Sequence, residues 1–193
     1  MFTAPPALHV TNLAGLIWLR EECRHDLGHA AYLFDIVEEE ARFYLELPDS
    51  AIDALCTELD LSLFVPRFDS RALVALVAES RDVSGGLRAS HLELHNLAGL
   101  EALSDACRRS TADAVWIYRI NRQTAEAYRA LRHRDAVAIC SLLAVSAVVP
   151  RYDRHDITRI LDKPAGSRAM FAAAYEPDIA EPDDARLGIQ LTH

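Results

Sequence analysis

The side chains able to do chemistry in this sequence are histidines, cysteines and arginines. His25 and His29 stand four residues apart beside Cys23, and His91 and His95 repeat that spacing. On one helix, imidazoles four apart share a side and can hold a metal ion between them. The cysteines, Cys23, Cys56, Cys107 and Cys140, show no CxxC spacing, so they read as reduced thiols and small buried hydrophobes rather than as a zinc knuckle or a disulfide pair. Arg67/Asp69 and Arg151/Asp153 recur as a pair; each Asp is suited to cap a following helix and each Arg to make an ion pair or interface contact. The chain has no glycine-rich phosphate loop, HExxH, GxSxG or acid/base pair at a telling spacing. Neither an enzyme nor a small-molecule substrate is expected, and no cofactor.

What must position these residues is a duplication. A shift of 84 residues lays Leu8–Val77 on Leu92–Leu161 without a gap, with about 22 of 70 positions identical, far above the compositional expectation. Asn12-Leu13-Ala14-Gly15-Leu16 returns as Asn96-Leu97-Ala98-Gly99-Leu100, and Val65-Pro66-Arg67-Phe68-Asp69 as Val149-Pro150-Arg151-Tyr152-Asp153. Cys23 falls on Cys107 and Cys56 on Cys140, which makes the cysteines two per copy, inherited twice. His25 and His29 fall on Arg109 and Asp113, so a metal role for them would belong to one copy only, and no metal is expected.

Within a copy, apolar residues recur at helical spacing: Leu13, Leu16, Leu19 and Cys23; Ala41, Tyr44 and Leu45; Ile52, Leu55, Cys56 and Leu59. A shorter helical piece is expected around Ala30–Phe34. Pro48-Asp49-Ser50 marks the start of the third face, with Asp53 near the first turn. Leu61–Val65 is apolar but runs into Pro66, which cannot donate to a central ladder, so it reads as a short edge strand or extended arm. Asp69 or Ser70 then caps a last helix through Leu73, Leu76 and Val77. The expected fold is all-α: two units, residues 8–80 and 92–162, joined by a linker over 81–91 and followed by a short helix near Met170–Tyr175 and an acidic, disordered tail within 163–193.

At 193 residues and 51% apolar content the chain has material for a real core. Its N-terminus lacks basic residues and its best early apolar run, Leu13–Leu19, is too short to span a bilayer, so no signal peptide or membrane helix is expected and the location reads as cytoplasmic. A net charge of −9 argues against unaided binding to nucleic acid or an anionic membrane. The charge is uneven. Residues 8–77 carry 5 arginines and 13 acids, residues 92–161 carry 10 arginines and 8 acids. The candidate face for DNA or an acidic partner is therefore on the second copy, at Arg119, Arg122, Arg129, Arg132 and Arg134, with Arg151 and Arg154 near the arm. The plainer alternative is a solvated helix face paired internally with Glu126, Asp135 and Asp156.

The order of features resembles the FlhD subunit of the bacterial flagellar master regulator. The first copy carries the likeness in Asn12-Leu13, Ala30–Phe34, Val37-Glu38-Glu39-Glu40-Ala41, Ile52–Leu59 and Phe64–Asp69; the second in Asn96-Leu97, Ala114–Tyr118, Asn121–Ala125 and Arg151-Tyr152-Asp153. The resemblance covers about 140 residues. It implies a small intertwined helical dimer that joins an FlhC-like, zinc-containing subunit and reaches promoter DNA through that complex. Here the tandem copies would form the dimer within one chain. Single-unit members lack the second copy, and Phe64 stands where familiar FlhD sequences carry a cysteine near the arm. Pro66 also lies within the arm here. The pairing interface is expected at Leu16, Phe64, Val65 and Phe68 of one copy and Leu100, Val148, Val149 and Tyr152 of the other. The function expected is that of a transcriptional co-regulator of flagellar or conjugation and mobile-element genes. The alternative is a module that sequesters a regulatory protein without touching DNA.

Overall fold

A computed structural model describes residues 6–82 and 90–174, and the fold is all-α apart from one small sheet. The first copy contains α1 (Pro6–His25), α2 (Leu27–Phe34), α3 (Glu38–Glu46), α4 (Asp49–Glu58), β1 (Phe64–Pro66) and α5 (Ser70–Glu79). The second contains α6 (His91–Arg109), α7 (Thr111–Tyr118), α8 (Arg122–Ala130), α9 (His133–Leu142), β2 (Val148–Pro150) and α10 (Arg154–Leu161). A last helix, α11, spans Arg168–Ala174. The expected linker falls partly, and the acidic tail from Glu176 wholly, outside the described residues.

Local signals explain the boundaries. Asp26 and Ser110 occupy equivalent positions and accept from the backbone N–H of His29 and Asp113, capping α2 and α7. Each cap also ends the helix before it, and this corrects the histidine reading: α1 stops at His25 and His29 belongs to α2, so the two are not on one helix. Asp35 and Arg119, again equivalent, close α2 and α7 in the left-handed region, at φ 57° and 52°. An Asp tolerates that backbone better than a long side chain does. Of the two cap candidates before α5 it is Asp69 that accepts from Ala72 N, and Asp153 does the same for α10 through Asp156 N.

The arms pair with each other. β1 and β2 run antiparallel with Phe64 opposite Pro150, Val65 opposite Val149 and Pro66 opposite Val148. This register maps onto itself under the 84-residue shift, so a local two-fold axis passes through the Val65–Val149 pair. With two strands only, each proline sits in an edge strand, where its missing N–H is tolerated.

The repeated Asn-Leu-Ala-Gly-Leu segment holds these arms down. Asn12 Nδ2 donates to Leu61 O at 3.1 Å and its Oδ1 accepts from Leu63 N at 2.9 Å. Asn96 does the same with Val145 O at 2.9 Å and Ala147 N at 2.7 Å. Both asparagines are fully buried, and each amide satisfies one donor and one acceptor of an arm that has no ladder there. Three residues on, the glycines make room: a Cβ on Gly15 would lie 2.4 Å from the Phe64 ring, and one on Gly99 3.1 Å from Val148 Cγ1.

Beyond the arms the copies exchange their last helices. One core combines α1–α4 with Tyr152, Ile157 and Ile160 of the second copy; the other combines α6–α9 with Phe68, Leu73 and Leu76 of the first. Leu8 at the start of α1 also enters the second core, while Leu92 packs on the first. Burying a Leu or Ile side chain contributes roughly 1.5–3 kcal/mol, so Leu73, Leu76, Ile157 and Ile160 together amount to about 6–12 kcal/mol as an upper bound. That is on the scale of a whole domain's net stability. Neither sequence copy is a complete structural unit alone.

The short helix after Asp162 is part of this assembly. Ala172 of α11 is fully buried in the first core, and Arg168 pairs with Glu58 at 2.7 Å.

Candidate functional site

The centre of the pairing is built from backbone carbonyls and the side chains that reach them across the two-fold. Tyr44 Oη donates to Tyr152 O at 2.6 Å and Tyr128 Oη to Phe68 O at 3.0 Å, each from one copy to the other. Ser62 N donates to Ile117 O and Ser146 N to Leu33 O, both at 3.0 Å. Arg67 N and Arg151 N reach Ala147 O and Leu63 O. Of the residues expected at this interface, Leu16, Phe64, Phe68, Leu100, Val148 and Tyr152 are buried and Val65 and Val149 half-buried. Phe68 and Tyr152 lie in the opposite copy's core, while Leu16 and Leu100 lie in their own.

Two equivalent arginines flank the sheet under different conditions. Arg67 donates to Leu33 O at 2.7 Å and Ser146 O at 2.8 Å, with Asp35 at 3.9 Å. Arg151 makes one long bond, to Ile117 O at 3.4 Å, and its Nε and one terminal nitrogen have no hydrogen-bond partner. Position 35 is Asp beside Arg67, but its equivalent, Arg119, is a second cation beside Arg151. Burial lowers both guanidinium pKa values; Asp35 opposes that for Arg67, whereas Arg119 adds to it for Arg151. The Arg151 guanidinium lies 5.0 Å over the Tyr152 ring, a cation–π contact.

The seven-arginine face expected on the second copy is therefore divided. Arg151 is 5% exposed and belongs to the interior, a correction that follows from its place after β2, where its guanidinium reaches Ile117 O at the end of α7 and lies over the Tyr152 ring. Arg119 is half-buried, donating to Ala173 O of α11 at 2.8 Å and lying over the Trp116 ring. Arg154 is exposed, but on α10, which packs against α3 and α4, where its charge acts on Glu40. Only Arg122, Arg129, Arg132 and Arg134 share the outer surface of α8 and the start of α9, all exposed. Arg122 pairs with Glu126 at 2.9 Å; Arg132 holds Asp135 through two bonds at 2.7 and 3.2 Å, and Arg134 approaches the same carboxylate at 3.5 Å. The Arg132 hydrogen bond keeps the Asp135 carboxyl below its ordinary pKa. Two of the three acids expected to balance the face do so; the third, Asp156, is buried at the start of α10. Exposed pairs of this kind are worth about 0–1 kcal/mol, weak enough for a partner's carboxylate or phosphate to displace them.

Among the described residues the cysteines and histidines form no metal centre. All four thiols are buried, and burial pushes Cys23, Cys56 and Cys107 up to about 11 and Cys140 to about 12, which leaves them protonated and unreactive. Among the described residues no group of three His, Cys, Asp or Glu side chains is placed to hold a metal ion. His95 is instead stacked on Trp18, ring centroids 3.9 Å apart.

Sequence alone does not reveal that the asparagine and tyrosine pairs bond to the arms: Asn12 and Asn96 stand there only as repeated residues and Tyr44 only on a helix face. Asn12 and Asn96 carried a usable signal, an amide kept in both copies one position before an apolar face. Among the described residues no helix is long and apolar enough to cross a membrane. Comparison with protein-family models, curated proteins and solved structures returned no match.

Proposed function

We propose that this chain is a cytoplasmic transcriptional co-regulator of the FlhD type, carrying its dimer within one polypeptide and acting with an FlhC-like, zinc-containing subunit to bind promoter DNA. The observation that carries the reading is the mutual exchange of arm and last helix between the copies. It is the intertwined pairing that the resemblance calls for, and it leaves the outer faces of both cores available to a second protein. Because the pairing is intramolecular it does not depend on concentration. The genes controlled belong to flagellar or conjugation and mobile-element systems.

Arg122, Arg129, Arg132 and Arg134 are the contact surface under this reading, toward the partner or toward DNA once the partner has supplied most of the affinity. The test is a gel shift with an FlhC-like protein, with and without this chain. A ternary complex on promoter DNA, weakened by Arg129→Ala, Arg132→Ala and Arg134→Ala together, is expected; unchanged binding of that variant would remove the face from the mechanism, and absence of any complex would remove the function. A second reading, a module that sequesters a regulatory protein away from DNA, is favoured by the chain's −9 charge and by the ion pairs that already occupy Arg122, Arg132 and Arg134. In the same experiment it would appear as loss of the partner's own DNA band.

A further inference from the structure

The local two-fold relates position 18 to position 102 and position 95 to position 11, so the contact between α1 and α6 contains two equivalent sites. At one of them the Trp18 indole is stacked on His95, with ring centroids 3.9 Å apart and planes 24° apart, and tilted against Phe34 at 4.7 Å. Neither Trp18 Nε1 nor His95 Nε2 has a hydrogen-bond partner. Shape and ring contact therefore hold the indole there.

At the other the equivalent positions hold Ala102, Thr11 and Tyr118, and the ring is missing from the sequence. A pocket of about 140 Å³ opens between α1, α6 and α7, lined by Leu8, Thr11, Ala102, Arg109, Ala114 and Tyr118 among others. The counterparts of those six are Leu92, His95, Trp18, His25, Ala30 and Phe34, so the pocket lies where the twin carries its indole. The helices on the two sides follow the same plan, and Tyr118 retains the aromatic wall that Phe34 provides. A cavity of about 150 Å³ is known to accept a benzene-sized ring. Ser110 and Asp113 also line the pocket, so its wall is apolar with a few polar groups.

We propose that this pocket binds a free planar aromatic molecule of indole size, seated as Trp18 is seated in the twin. The site is separate from the arginine surface and does not depend on the function proposed above.

The probe is indole, titrated into the full chain and followed by calorimetry and by the NMR signals of the Ala102, Ala106 and Ala114 methyl groups. Saturable binding of one indole per chain, with shifts centred on those methyls, is expected. Ala102→Trp with Thr11→His, which rebuilds the twin's stack, should weaken it by at least about tenfold; Ala102→Leu is the smaller plug if circular dichroism shows the double variant unfolded. Trp18→Ala with His95→Thr should open a second site. Non-saturating shifts, shifts centred elsewhere, or wild-type affinity in a folded plugged variant would overturn the proposal. Cyclohexanol binding as tightly as indole would overturn the aromatic class. A tryptophan-bearing peptide binding at least about tenfold more tightly than free indole would overturn the free-molecule assignment and give the pocket to a protein partner.

Discussion

Arg67 and Arg151 occupy equivalent places beside the paired arms, one satisfied by two carbonyls and a nearby carboxylate, the other near a second cation with part of its guanidinium unbonded. The two equivalent sites between α1 and α6 differ in the same way, one filled by Trp18 on His95 and the other left open over Ala102. In a homodimer both members of each pair would be the same residue. Joining the copies in one chain removes that constraint, and the backbone exchange is retained while the side chains around it diverge.

The largest effects should come from breaking what the copies still share. Ile160→Ala or Leu76→Ala, each removing a fully buried side chain, should cost about 2–5 kcal/mol. The location of the damage is the sharper test. Hydrogen exchange should show Ile160→Ala loosening α1–α4, and Leu76→Ala loosening α6–α9, each in the other copy. Damage confined to the mutated copy's own helices would refute the exchange.

Next come the two arginines. Arg67→Met leaves the Leu33 and Ser146 carbonyls short of a donor and should cost roughly 2–3 kcal/mol in denaturant melts. Arg151→Met removes a poorly satisfied buried charge and should be neutral or stabilising. Equal costs would mean that the copies have not diverged at this position.

The glycines under the arms should rank in the same direction. Gly15→Ala drives a methyl into the Phe64 ring and should cost about 1–3 kcal/mol, as overpacking does. Gly99→Ala meets Val148 at 3.1 Å, a tight contact that a few tenths of an ångström relieves, and should cost less.

The smallest effect is one of pH. Burial pushes the His95 pKa down to about 4, so the unfolded chain takes up a proton near its ordinary 6.5 that the folded chain resists. The stability tied to neutral His95 is fully present above about 6.5 and is lost as pH falls toward 4. The difference between wild type and His95→Thr should thus shrink over that window, by on the order of 1 kcal/mol, the ring being only partly enclosed. Parallel melting curves for the two proteins from pH 7 to 4 would contradict the depressed pKa.

Much of this was legible in the chain itself. The helical faces Ile52, Leu55, Cys56, Leu59 and Leu73, Leu76 are buried as their spacing requires, and the apolar run broken by Pro66 became an edge strand. Local rules suffice there because a helix face and a proline act through their immediate neighbours. The arginine face was less legible. Charge counting sees that Arg119, Arg122, Arg151 and Arg154 all fall in the second copy, but not that Arg151 is buried beside the end of α7 or that α10 carries Arg154 to the other core. The histidine spacing misled for a related reason: one Asp cap between His25 and His29 starts a new helix.

The sequence by itself determined the duplication, the element order within each copy, the arms and the excess of arginine in the second half, since each rests on periodicity, composition or a residue's own backbone preference. Only the tertiary structure decided which copy each last helix completes, which arginines reach solvent, and that one site between α1 and α6 holds an indole while its twin holds a pocket. Those outcomes depend on contacts between positions such as Trp18 and His95, or Tyr44 and Tyr152, that are far apart along the chain and meet only when both copies have folded around each other.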